Sequence, residues 1–149
     1  MRMGKLGCAV VLLAVTAAIG AQEKGYWTAA SKTAKSVTGD LQFSADKITI
    51  DFSRYPLAQI RELTAEEKAV LFPEAGEGAG NLYRVEIPAE RRFLHKNTLC
   101  GSEETDWVVT WVSGRKMDVA LFSQVGVPKV TAEEILNGHR LCGTYSYTR

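Results

Sequence analysis

Four residues of the types that hold metal ions lie in the second half of the chain: His95, Cys100, His139 and Cys142. Two thiolates and two imidazoles make a zinc set by type. The spacing contains neither Cys-x-x-Cys nor the interval of a zinc finger, so this set is not assigned to a metal. Nucleophilic catalysis is no better supported. There is no Gly-x-Ser-x-Gly elbow, and both histidines sit in polar contexts that suit solvated loops. Glu103, Glu104 and Asp106 are the one concentration of carboxylates that could share acid and base roles. Three acids just before a strand read instead as a solvated loop or an adventitious cation site. The glycine-rich stretch Glu74–Asn81 superficially matches a phosphate cradle, but no Lys-Ser or Lys-Thr follows and its two glutamates repel phosphate. It reads as a flexible connector. No catalytic residue, metal ligand or cofactor is assigned, and the chain is not read as an enzyme.

The state of the thiols depends on where the chain goes. Arg2 and Lys5 form a short positive segment, and residues 6–19 are apolar apart from Thr16. Small residues follow at Ala18, Gly20 and Ala21. This is the pattern of a secretory signal peptide over residues 1–21, with cleavage after Gly20 or after Ala21. Cys8 does not sit at the end of the apolar run behind small residues, so it is not read as a lipid anchor. Cys8 would leave with the leader. Cys100 and Cys142 would then remain as an even pair in an oxidising compartment, which reads as one disulfide. Pairing removes the thiolates that zinc or a cysteine nucleophile would need. The expected location is periplasmic or secreted.

The chain has 149 residues, with 18 Lys+Arg against 17 Asp+Glu and a formal charge of +1. Loss of Arg2 and Lys5 takes this to −1, still close to neutral. Nucleic acid is not expected as a partner, because that binding needs a concentrated basic face. Outside the leader no apolar stretch reaches the roughly 18 residues of a membrane span. Residues 22–149 are expected to form one domain with a real core.

Two period-two segments define a hairpin. Leu41 and Phe43 alternate with polar residues, and after Ser44–Lys47 so do Ile48, Ile50 and Phe52. Pairing Phe43 with Ile48 and Leu41 with Ile50 places all of these apolar residues on one buried face. Leu82–Ile87 repeats the pattern. Asp106–Val112, Met117–Ser123 and Leu141–Thr148 are rich in branched and aromatic residues and read as further strands. Two short helices are marked by the same tetrapeptide, Thr-Ala-Glu-Glu, at Thr64 and at Thr131. Both match a capping box. The first should stop before Pro73 and the second near Asn137-Gly138. The expected class is mainly β: a small antiparallel β-barrel or strongly curved sheet with two short helices and one disulfide.

The hairpin around Ser113–Lys116 is the informative element. If Gly114-Arg115 is a two-residue turn, Val112 faces Met117, Thr110 faces Val119 and Val108 faces Leu121. Trp107, Val109, Trp111, Ala120 and Phe122 then share the opposite face. An odd loop would move the tryptophans to the Met117 side. In either register both faces are apolar, so a helix, a loop, a ligand or a partner must cover the ribbon. Leu71, Phe72 or Ile135 could cover it from within. Otherwise Trp107, Val109, Trp111 and Phe122 are the candidate binding residues, with Tyr145 and Tyr147 of the last strand extending the surface.

Gly25-Tyr26-Trp27 opens the expected mature chain as Gly-x-Trp, and Thr105-Asp106-Trp107 is similar to a Thr-Asp-Tyr motif. With the order strand, short helix, last strand from Met117 to Thr148, these pieces resemble the calycins. That superfamily comprises small secreted β-barrels: lipocalins, avidins and certain bacterial metalloprotease inhibitors. The chain also resembles small exported bacterial proteins without an assigned function. The calycin resemblance implies a barrel in which Trp27 packs across the floor as a structural residue. The Thr64–Phe72 helix and the polar Thr28–Thr38 stretch depart from that pattern. Together these features lead to an exported, non-catalytic binding protein that takes a protein partner, with inhibition of a secreted or periplasmic hydrolase as its specific form. The alternative is a lipocalin-like carrier of a small apolar ligand.

Overall fold

Alternating side chains organise residues 21–149, the residues described by the computed structural model. The expected leader lies outside them apart from Ala21. Nine strands form: β1 (Gly25–Ala29), β2 (Leu41–Phe43), β3 (Lys47–Ile50), β4 (Ser53–Pro56), β5 (Ala58–Glu62), β6 (Asn81–Ile87), β7 (Thr105–Ser113), β8 (Lys116–Phe122) and β9 (Leu141–Thr148). They make one antiparallel sheet in the order β4-β3-β2-β1-β9-β8-β7-β6-β5. Both hairpin registers follow the hydrophobic pattern, with Phe43 opposite Ile48, Leu41 opposite Ile50, Val112 opposite Met117 and Val108 opposite Leu121. A one-residue slip would turn each apolar set to the wrong face.

Among the described residues no ladder joins the edge strands β4 and β5, so the sheet is not closed. The edges are nevertheless consecutive in the chain, since only Leu57 separates β4 from β5. Its N–H donates to the Asp46 carbonyl at 2.7 Å. β1 is shared in a similar way: Gly25–Trp27 pair with β2, whereas Thr28 and Ala29 pair with β9. The sheet wraps one core in which Trp27, Phe43, Ile48, Ile50, Tyr83, Val85, Met117 and Tyr147 are all buried. A second cluster forms on the other face of β6, β7 and β8.

Three helices decorate the sheet: α1 (Lys32–Val37), α2 (Ala65–Leu71) and α3 (Ala132–Asn137). Thr64 and Glu67 close a full capping box at α2, and Phe72 ends it before Pro73. At α3, Thr131 accepts from the Glu134 N–H, and Gly138 is the C-cap. α1 was not signalled by apolar periodicity. Its N-cap Ser31 accepts from Ala34 N, and Ala34 is the only residue of the helix that is buried. The Cys100–Cys142 disulfide ties the loop before β7 to the second residue of β9, with the Cα atoms 4.9 Å apart.

Two local expectations are corrected. Phe52 does not continue the buried face of β3. The strand ends at Ile50, and Asp51 and Phe52 form a two-residue turn into β4, since Ile50 pairs with Ser53. The second correction concerns Glu74–Asn81, which is held against the sheet and is not a free connector. Ala79 exchanges backbone hydrogen bonds with Val112 at 3.1 and 2.7 Å. The glycines permit this approach: a Cβ on Gly80 would lie 1.8 Å from the Thr110 carbonyl oxygen, and one on Gly78 would lie 1.9 Å from that of Val112.

Candidate binding surface

The aromatic face of β7 and β8 is covered by the chain itself. Trp107, Val109, Trp111, Ala120 and Phe122 pack with Leu63, Leu71, Phe72, Ala75 and Val130, and the partly buried Ile135 joins them. Trp107 is 4% exposed and Trp111 7%. Both indole N–H groups are satisfied internally: Trp107 donates to the Gln124 carbonyl at 2.9 Å and Trp111 to the Gly76 carbonyl at 3.0 Å. Tyr145 and Tyr147 do not extend this face. They lie opposite Val119 and Met117, inside the other cluster. The Tyr147 hydroxyl meets Thr38 Oγ1 at 2.6 Å, and burial pushes its pKa up.

The residues considered for chemistry remain apart. His95 and His139 are exposed, and His95 Nδ1 meets the Ser36 carbonyl at 3.0 Å. Cys100 and Cys142 are oxidised together. Asp106 is committed to Arg84, 3.1 Å away, while Glu103 and Glu104 face solvent. Among the described residues no group of three or more His, Cys, Asp or Glu is placed to hold a metal ion.

A different surface stands out on the outer side of β1, β2 and β3. Tyr26 pairs with Gln42, Gln42 with Thr49, and Thr49 with Arg54, so a row of side chains crosses four strands. At the hairpin tip beyond this row, Asp51 and Phe52 adopt φ values of 47° and 64°. Positive φ at both central residues is what a two-residue hairpin turn of the primed type requires, and Asn-Gly is its usual sequence. Asp tolerates the left-handed region, whereas a bulky aromatic there is strained by about 1–2 kcal/mol. The Phe52 side chain gains no cover in return: the residue is 98% exposed.

Tyr26, 59% exposed, and Phe52 border a shallow cavity of about 300 Å³. Gln42 and Thr49 contribute to it, as do Asp40, Asp51 and Leu94. Asp40 is held in place, with Oδ1 accepting from the Ala29 N–H at 2.8 Å and Oδ2 accepting from the Tyr26 hydroxyl. That hydrogen bond raises the Tyr26 pKa above its ordinary value. Among the described residues no lysine or arginine lines the cavity, although Lys47 and Arg54 line a second depression that shares Gln42 and Thr49. Sequence reasoning missed this surface because the alternation Ile48, Ile50, Phe52 is what a buried strand would show. The sequence carries no usual turn pair at this point, since Asp51-Phe52 stands where Asn-Gly or Asp-Gly would mark a hairpin.

No protein-family model matches this chain, and no curated protein or solved structure matches it significantly.

Proposed function

We propose that this chain is an exported, non-catalytic protein-binding module whose specific form is inhibition of a secreted or periplasmic hydrolase. The observation that carries the reading is Phe52, a fully displayed aromatic on a strained, two-residue turn. Strain at a functional position persists when the surrounding structure over-determines it, and aromatic anchors dominate binding energy at interfaces. The hairpin is braced from behind, because Arg91 donates to Tyr55 Oη at 3.1 Å and to Ser53 Oγ at 2.6 Å. A braced tip that presents one apolar side chain suits insertion into a concave site such as a hydrolase cleft. The disulfide supports an oxidising compartment. The carrier alternative lacks comparable support, because Phe43, Ile48, Ile50, Tyr83 and Val85 already fill the core that a ligand would occupy.

The test is site-directed photo-cross-linking in the exported fraction. Benzoyl-phenylalanine at position 52 should yield one discrete protein adduct, and the same group at exposed position 136 should yield none. Identical adducts from both positions, or none from position 52, would overturn the reading. For the inhibitory form, the captured hydrolase should lose activity with the wild-type chain and keep it with Phe52→Gly.

A further inference from the structure

We infer that the cavity beside Phe52 receives an arginine side chain of the protein partner. This rests on the partner-binding reading and names the chemistry of the residue recognised. Two exposed rings, Tyr26 and Phe52, stand at the cavity with two carboxylates, Asp40 and Asp51, and among the described residues no basic side chain lines it. Its volume of about 300 Å³ is at the lower end of small-molecule pockets, which suits one long side chain rather than a larger ligand.

The two carboxylates differ in readiness. Each Asp40 oxygen already accepts one hydrogen bond, from Ala29 N or the Tyr26 hydroxyl, and keeps a second lone pair. Asp51 takes part in none of the ion pairs formed among the described residues. A cation entering the cavity therefore meets one oriented carboxylate and one free carboxylate, with two exposed aromatic side chains at its border. A planar guanidinium uses all of them: it stacks on aromatic faces and donates in a fork to carboxylate oxygens. An ammonium offers only a compact charge, and a carboxylate ligand would be repelled. Phe52 supplies apolar contact beside the charged pocket, so partner segments with arginine next to an apolar pocket are favoured.

The inference is tested by titrating the intact exported protein with N-acetyl-arginine-N-methylamide and following its amide and aromatic resonances by NMR. The isosteric neutral control is the citrulline derivative, and the acidic control is the glutamate derivative. Saturable shifts should be confined to Tyr26, Asp40, Gln42, Thr49, Asp51 and Phe52, and they should weaken as salt rises. Citrulline should bind about tenfold more weakly, and Asp51→Asn should weaken arginine binding by a similar factor. Asn tolerates the left-handed backbone at this position, so the hairpin is retained in that variant. Equal binding of arginine and citrulline, shifts elsewhere in the sheet, or an unchanged Asp51→Asn variant would each overturn the assignment. The arms separate the two readings. If position 52 still cross-links a partner while arginine fails to bind, only the cation assignment falls. If arginine binds while position 52 captures nothing, the partner reading falls, and with it the claim that the arginine belongs to a protein.

Discussion

Glu23 Oε1 accepts a hydrogen bond from Thr110 Oγ1 at 2.7 Å, linking the turn before β1 to the middle of β7. The same oxygen accepts from Asn81 Nδ2 at 2.7 Å, and Asn81 Oδ1 accepts in turn from Gln59 Nε2 at 2.8 Å. Glu23 is only 1% exposed, and its Oε2 has no hydrogen-bond partner among the described residues. This carboxylate therefore holds three separated segments together from inside.

Glu23→Ala removes the acceptor for two buried donors and should destabilise the fold by about 3 kcal/mol. Glu23→Gln keeps an acceptor at Oε1, so its cost should be smaller. Urea unfolding of the two variants checks this order. Equal losses would show that neither the side-chain volume nor the Oε1 acceptor, both of which glutamine keeps and alanine removes, carries the stability.

Phe52→Gly should stabilise the protein while abolishing capture of the partner. Glycine adopts the left-handed turn without strain and leaves no exposed ring, so a gain of about 0.5–1 kcal/mol is expected after its larger entropy loss. Thermal unfolding measures the gain, and the cross-linking assay measures the loss. A lower melting temperature would show that Phe52 makes stabilising contacts within the fold.

Arg61 donates twice to Glu67, at 2.6 and 2.7 Å, while Glu67 Oε1 also accepts from the Thr64 N–H at 3.0 Å. Arg61, and then the Thr64 backbone, hold the Glu67 carboxyl below the usual carboxylate range against the opposing effect of burial. Because the folded pKa is the lower one, this stability is fully present above the ordinary carboxylate value. It is lost as pH falls through the lowered value. Glu67→Gln keeps a capping acceptor but loses the ion pair, at a cost of about 1 kcal/mol at neutral pH because solvent screens Arg61. Denaturation at neutral and acid pH should show the gap between variant and wild type closing in acid.

Reduction of Cys100–Cys142, which spans 42 positions, should lower stability by roughly 4 kcal/mol on the chain-entropy account. The Cys100→Ser, Cys142→Ser double variant should reproduce that loss. Its unfolding should become insensitive to reductant, while the wild type remains sensitive.

Much of the fold was legible locally. Phe43 opposite Ile48 and Val112 opposite Met117 follow from period-two alternation across a short turn. The α2 cap follows from Thr64 and Glu67 three positions apart. The pairing of Cys100 with Cys142 follows from counting the thiols that remain once residues 1–21 are read as a leader. β4 and β5 were not legible, because they form the two sheet edges and carry Pro56 and charged residues where a central strand would be apolar.

The candidate site was the least legible part, for a different physical reason. Alternation shows which residues share a face, and it identified both faces of the β7–β8 ribbon. It does not show what lies above a face. Trp107 and Trp111 became core because Leu63–Ala75 and Val130, distant in the chain, close over them. Phe52 became surface because β3 turns after Ile50 to pair with β4, which takes its ring off the apolar face. Periodicity and capping are set by neighbours a few residues apart, and the sequence by itself determined those. Cover and exposure are set by contacts between segments tens of residues apart, and only the tertiary structure decided them.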